Sequence, residues 1–171
     1  MSGKVFGTLM LLTALILAAK IGADFASYEA KRDVRIAVVA DDQELIDLEP
    51  NLPYAYISAD DGKLYVEIST NNPNYQDGFG KGVSPDSTYA FDCMFKVSNN
   101  LWEEVPISVT VSSDNSNVLV YSGEEEAGSE TTFIVESGDS VCVGIVISAE
   151  SYSPGDTIPS VLTIHAEKST E

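Results

Sequence analysis

Apolar and polar residues alternate with a period of two along most of the chain after residue 30. This spacing is typical of β-strands with one face in a core. The clearest example is residues 88–98, where Phe91, Cys93, Phe95 and Val97 share one face. No segment of ten or more residues after residue 30 keeps the 3.6-residue period of an amphipathic helix. The pattern therefore predicts short strands, paired antiparallel because parallel strands need long crossover connections.

Turn residues divide this part of the chain into nine predicted strands. Asp60-Asp61-Gly62 and Ser137-Gly138 each predict a β-hairpin turn, and the Asn-, Gly- and Pro-rich residues 71–87 predict a long loop with a short helix or a binding surface. The predicted strands are residues 34–39, 53–59, 63–69, 88–98, 105–111, 117–122, 131–136, 139–148 and 160–167.

Nine short strands without a helix predict an all-β fold, an antiparallel β-sandwich with a jelly-roll-like or immunoglobulin-like arrangement. The inward face of each strand is the one that carries Val, Ile or Phe at every second position. We expect seven of these side chains to lie between the two sheets: Phe91, Phe95, Val109, Val141, Val143, Ile145 and Ile164.

The first 23 residues have the composition of a signal peptide. Residues 5–19 contain no charge and lie between Lys4 and Lys20. An uncharged, mostly apolar run of fifteen residues suits the hydrophobic region of a signal peptide, whereas a membrane-spanning helix needs about 20 apolar residues. We expect cleavage after Ala23, with Ala19 and Ala26 as alternative sites and an uncleaved anchor helix as the other interpretation. The predicted organisation is a signal peptide at 1–23, an extended arm at 24–32 and one β-sandwich domain at 33–171.

The net charge is −18, from 9 Lys and Arg against 27 Asp and Glu. A nucleic-acid-binding protein needs cations that face phosphates, so this class is excluded. A surface of this charge repels copies of itself and attracts cations. The 44% of hydrophobic residues suffices for one buried core.

Catalytic motifs are absent from the sequence. His165 is the single histidine, so a zinc site of the His-Glu-x-x-His type cannot form. A Gly-x-Ser-x-Gly nucleophile motif is also missing. We therefore predict a protein that is not an enzyme and that needs no cofactor. Calcium is the one alternative, because the carboxylates of Asp41-Asp42, Asp60-Asp61 and Glu124-Glu125-Glu126 are oxygen ligands, although solvated loop charge explains them as well.

Cys93 and Cys142 lie in two different predicted strands. An exported protein can carry a disulfide. The strand pattern places Cys93 on the apolar face with Phe91 and Phe95, and Cys142 on the less apolar face with Ser140 and Gly144. A β-bulge would change this parity, so the sequence alone does not decide whether the two cysteines form a disulfide.

Three segments resemble TasA/camelysin-like proteins, and among them most closely the archaeal bundling-pilus subunits. They are ADFASYEAKRDVRIAVVADDQELIDLEP after the leader, FDCMFKVSNNLWEEVPISVTV in the middle, and ESGDSVCVGIVISAESYSPGDTIPSVLTIHAEK at the end. The resemblance implies a jelly-roll subunit of extracellular fibres that exchanges strands with its neighbours. The metalloprotease activity described for some camelysins is not implied here, because the histidine ligands are missing.

The predicted function is a secreted structural subunit of a pilus, filament or biofilm-matrix fibre. It would assemble head to tail with copies of itself through donor-strand complementation. The expected donor residues are Asp24, Phe25, Ala26, Ser27 and Tyr28, followed by the alternating Val34, Ile36 and Val38. The alternatives are a monomeric cell-surface binding module, such as an adhesin or a surface-layer-associated protein, and an exported hydrolase. With cleavage, we expect the membrane to contact the chain only through the leader before it is removed.

Leader cleavage gives the first testable prediction. Intact-mass analysis of the native protein should show a chain that begins near Asp24, because a small residue precedes the expected cut and an apolar run of suitable length precedes that residue. A mass that retains residues 1–20 would contradict the prediction and favour an anchored protein.

Overall fold

The computed structural model describes residues 32–169. The chain divides into two compact units, Met1–Ile36 and Ala37–Glu171. Of the first unit only residues 32–36 are described, and they form neither helix nor strand. The second unit contains nine strands and no helix in its described part. The strands are β1 (Ile46–Pro50), β2 (Ala55–Ile57), β3 (Leu64–Val66), β4 (Thr88–Asn99), β5 (Ile107–Ser113), β6 (Val118–Ser122), β7 (Glu130–Val135), β8 (Ser140–Ser148) and β9 (Leu162–Lys168).

The strands form three antiparallel sheets. One sheet has four strands in the order β1-β4-β8-β6, and a second has three in the order β7-β5-β9. β2 and β3 form a separate hairpin, as the Asp60-Asp61-Gly62 turn predicts, and Gly62 has a φ of +72° that favours glycine. The fold is thus all-β and antiparallel, with a β-sandwich arrangement, as the period-two pattern predicts.

A single apolar core contains the inward faces of both larger sheets. The four-stranded sheet contributes Phe95, Val97, Val143 and Ile145, and the three-stranded sheet contributes residues such as Val109. In β5 the buried side chains alternate with half-buried ones, so the burial there follows the sequence pattern directly. In β8 three consecutive residues, from Val143 to Ile145, are buried.

The core prediction is correct for Phe95, Val109, Val143 and Ile145, which are all buried. The other three predicted core residues, Phe91, Val141 and Ile164, pack against this core but are only partly buried. Ile164 is half-exposed because β9 is the last strand of its sheet and has a neighbour on one side only.

One predicted strand is absent from the structure, and one strand of the structure was not predicted. Residues 34–39 alternate as a strand should, but residues 32–40 form no strand. The unpredicted strand β1 pairs instead with β4, from Ile46 opposite Asn99 to Pro50 opposite Phe95. Its sequence, IDLEP, alternates only twice and carries Asp, Glu and Pro, which are depleted in strands. Pairing with β4 therefore determines the extended conformation of β1 more than the composition of β1 does.

The hairpin predicted at Ser137-Gly138 is also wrong. β7 pairs with β5, whereas β8 pairs with β4 and β6, so the turn connects the two sheets of the sandwich. The buried Asn99 stabilises this crossing. Its Nδ2 donates to the carbonyl oxygens of Val105 (2.9 Å) and Val135 (3.1 Å), and its backbone N–H donates to Asp139 (3.0 Å).

The core position of Phe95 gives the second prediction. Phe95→Ala should lower the free energy of unfolding by about 3–5 kcal/mol, because the side chain is fully buried and its removal leaves a cavity. Chemical denaturation measures this change. The control is Trp102→Ala, since Trp102 is 91% exposed and its loss should change stability by less than about 0.5 kcal/mol. Equal effects of the two substitutions would contradict the packing described above.

Candidate functional site

Residues 33–39 carry an exposed row of apolar side chains. Val34, Ile36 and Val38 are 80%, 83% and 95% exposed. Within the described part of the chain these seven residues make no hydrogen bond. The segment therefore presents an alternating apolar face to solvent. The remaining predicted donor residues, Asp24, Phe25, Ala26, Ser27 and Tyr28, lie outside the described residues, as do the signal peptide and nearly all of the arm at 24–32.

The sandwich has one edge where the core is incompletely covered. In β9, Leu162, Ile164 and Ala166 lie directly opposite Ser113, Val111 and Val109 of β5. Val109 and Val111 are fully buried, so the paired residues of β9 face the same core. All three β9 side chains nevertheless remain only half-buried. Apolar area at this edge is therefore still exposed to solvent.

The other edge strands are better covered. The inward residues of β6, from Val118 to Ser122, are buried, and so are Thr131 and Val135 of β7. Leu48 of β1 is buried too. Among the edge strands of the two larger sheets in the described residues, β9 is thus the one whose inward face is least buried, and it pairs only with β5. Sequence reasoning missed this edge, because solvent exposure at an edge depends on strand order.

The disulfide between Cys93 and Cys142 is formed, with Cα atoms 5.1 Å apart. The parity argument against it fails because of an irregularity in β4. Phe91 pairs with Ile145 and Phe95 with Val143, so three residues of β4 lie opposite one residue of β8. The extra residues allow two consecutive side chains, Met94 and Phe95, to be buried. They also bring Cys93 to Cys142, as a β-bulge can.

Neighbouring residues form hydrogen bonds with the backbone carbonyls and a side chain of this bulge. Asn51, just after β1, donates from Nδ2 to the carbonyl of Cys93 (2.7 Å) and from its backbone N–H to that of Met94 (3.0 Å). The Tyr121 hydroxyl donates to Asp92 Oδ1 at 3.0 Å. The Tyr121 ring lies over Gly144, where even a Cβ atom would overlap it. Glycine is therefore needed at position 144 for this ring to reach the bulge.

A metal-binding cluster of side chains does not occur among residues 32–169. No group of three or more His, Cys, Asp or Glu side chains there could hold a metal ion. Several of the loop carboxylates have structural partners instead. Asp41 accepts the N–H of Leu64, Asp61 accepts the Tyr65 hydroxyl, and Glu125 accepts the Thr131 hydroxyl.

His165 lies on the exposed face of β9, with Nε2 4.0 Å from Glu167. No helix in the described part of the chain is long and apolar enough to cross a membrane.

Carboxylates around β1 repel one another. The pKa of Asp47 is raised, first by burial and then by the charges of Asp42 and Glu49. The pKa of Glu44 is raised in the same way by burial, Asp41 and Asp47. The Oδ1 atom of Asp47 is buried without a hydrogen-bond partner in the described structure. This end of the four-stranded sheet is therefore electrostatically unfavourable for a second acidic subunit.

The loop at 71–87 forms no helix, but it does create a concave surface. Together with the β2–β3 hairpin and the start of β4 it encloses a cavity of about 400 Å³. Asn72 in this loop is buried, and its Nδ2 donates to the carbonyls of Pro53 (3.0 Å) and Glu67 (2.6 Å). The sequence predicted a long loop here with a short helix or a binding surface; the helix is not formed, and the sequence did not indicate which side chains line the cavity.

Comparison with known proteins gives one family. The model of a family described as "Protein of unknown function (DUF1102)" matches residues 38–170. None of the curated proteins matches the chain.

The disulfide gives the third prediction. Replacing both cysteines, as Cys93→Ser with Cys142→Ser, should lower the free energy of unfolding by about 4 kcal/mol, because the crosslink closes a loop with a sequence separation of 49. Guanidinium denaturation measures the loss, and reduced wild-type protein should lose as much as the double variant. Unchanged stability of both samples would show that the bridge does not restrict the unfolded chain.

Proposed function

Because the chain belongs to the DUF1102 family, whose description names no activity, we propose a function from the chain's own surfaces. The protein is a secreted structural subunit of an extracellular pilus, filament or matrix fibre, and it assembles by donor-strand complementation. The observation that carries the proposal is the row formed by Val34, Ile36 and Val38, at least 80% exposed in the single chain. Its burial in a neighbouring copy would remove this apolar surface from water.

The geometry of β9 supplies an acceptor for that row. A strand added beside β9 would bring the three-stranded sheet to four strands, equal to the sheet it packs on. Its main chain would pair with the unpaired edge of β9, and its apolar side chains would cover Leu162, Ile164 and Ala166. In residues 33–39, one face carries the apolar row, and the alternate face includes Asp33 and Arg35. One face would thus enter the core and the other would remain in water.

Head-to-tail insertion of this kind does not close on itself, so it builds a filament. The resemblance of the sequence to fibre-forming TasA/camelysin-like proteins supports the same proposal. The net charge of −18 opposes assembly by Coulomb repulsion, so salt or divalent cations should favour it.

The alternative function is a monomeric cell-surface binding module, in which the same segment stays with its own chain or unpaired. The cavity beside the loop at 71–87 favours this alternative, because a binding module needs a concave surface for a ligand. A filament subunit can also carry such a cavity, so the decisive test concerns the apolar row.

The fourth prediction compares two double variants of the full chain. Ile36→Ser with Val38→Ser should abolish fibres seen by negative-stain electron microscopy, because it removes apolar side chains from the row. The matched control is Ala37→Ser with Val39→Ser, which makes the same neutral change on the alternate face and should leave fibres intact. Equal fibre formation by both variants would contradict donor-strand assembly through this segment. A monodisperse wild-type protein at all salt concentrations would favour the binding module.

Photo-crosslinking tests the acceptor edge separately. A benzoylphenylalanine in place of Thr163, exposed on β9, should crosslink in assembled fibres to a peptide from residues 33–40 of another copy. The control position is Glu49, exposed on the edge strand β1, which should give no such product. The reverse result would mean that the donor enters beside β1.

A further inference from the structure

The cavity beside the loop at 71–87 has walls made mainly of aromatic rings. Its volume of about 400 Å³ falls in the range of roughly 300–1,000 Å³ that small-molecule sites occupy. Five aromatic side chains line it: Tyr54, Tyr75, Phe79, Tyr89 and Phe91. Tyr54 and Phe91 meet edge to face, with ring centroids 5.3 Å apart, and Phe79 is 51% exposed. The cavity is therefore an aromatic pocket that is open to solvent.

The Asn, Ser and Glu side chains that line the pocket are already hydrogen-bonded within the protein. Asn72 donates to three backbone carbonyls and accepts the N–H of Asn74 at 2.7 Å. Asn74 donates to Pro53 (3.1 Å), and Ser69 donates to Glu67. The hydroxyl of Tyr89 contacts Ser84. These bonds hold the loop in place, so the pocket is formed before a ligand arrives. They also leave few amide groups for the dense hydrogen bonding that a neutral sugar requires.

The charge of the pocket has one sign. Glu67 is the single ionisable carboxyl residue among its lining residues, and no Lys or Arg is among them. The whole chain carries a net charge of −18, which raises the local concentration of cations at its surface. Aromatic faces attract cations through their quadrupoles, and this attraction needs no hydrogen-bond donor on the ligand.

We propose that this pocket binds an organic cation, specifically a quaternary ammonium group of choline size. The aromatic rings would surround the methyl groups, and Glu67 would supply the opposite charge. A quaternary ammonium has no N–H to donate, so it suits a pocket whose amide and carboxyl side chains are already hydrogen-bonded within the protein. No residue of the apolar row at 34–38 or of β9 is among the residues that line the pocket, so the proposal does not rest on filament assembly.

The test is a titration of the full chain with choline chloride at constant ionic strength. Calorimetry or NMR of the aromatic resonances monitors the binding. Choline should bind saturably and shift the resonances of Tyr75 and Phe79. Its neutral isostere 3,3-dimethyl-1-butanol has the same shape without the charge, and it should bind at least about tenfold more weakly. Equal binding of the two compounds would overturn the proposal, as would the lack of saturable choline binding.

Two pairs of variants locate the site. Phe79→Leu should weaken choline binding by about 2- to 30-fold, the range that cation–π contacts cover. Trp102→Leu makes the same change at an exposed aromatic outside the pocket and should have no effect. Glu67→Gln should weaken binding, whereas Glu49→Gln, which removes a charge paired with Lys96, should not. If Glu49→Gln weakens binding as much as Glu67→Gln, choline is held by the general negative charge. If Trp102→Leu weakens binding as much as Phe79→Leu, the aromatic contact lies outside the pocket. Either result overturns the proposal.

Discussion

The antiparallel pairing of β4 with β8 is the interaction on which the rest of the sandwich depends. β4 also holds β1, and β8 also holds β6, so the whole four-stranded sheet is joined through these two strands. The disulfide of Cys93 with Cys142 crosslinks the same pair beside its bulge. That bulge in turn places both Met94 and Phe95 in the core, which a regular strand cannot do because successive side chains point to opposite faces.

The contacts between the two sheets differ between one end of the sandwich and the edge formed by β9. At one end the buried Asn99 of β4 donates to the carbonyl of Val135 in β7, so a satisfied polar group connects the sheets within the core. At the edge formed by β9, half-buried Leu162 and Ile164 still meet solvent. A firmly crosslinked centre with one incomplete edge is suited to accept a further strand, because the acceptor does not need to reorganise in order to bind it.

The two proposed binding surfaces use different physical chemistry. The row of Val34, Ile36 and Val38 and the edge of β9 offer main-chain hydrogen bonds and apolar area, which a second copy of the chain matches. The aromatic pocket offers ring faces and the carboxylate of Glu67, which a small cation matches. The net charge of −18 acts on them in opposite directions, since it repels another subunit and attracts the cation.

The sequence by itself determined most of the strands and their inward faces, because period-two alternation reports which side of a strand meets the core. Phe95, Val109 and Val143 are buried as that pattern predicts. Only the tertiary structure decided which strands pair, so β1 was missed and the turn at Ser137-Gly138 joins two sheets instead of closing a hairpin. The tertiary structure likewise decided three further features: the disulfide, the open edge at β9 and the aromatic pocket. Each depends on contacts between residues distant in sequence, and local alternation carries no information about such contacts.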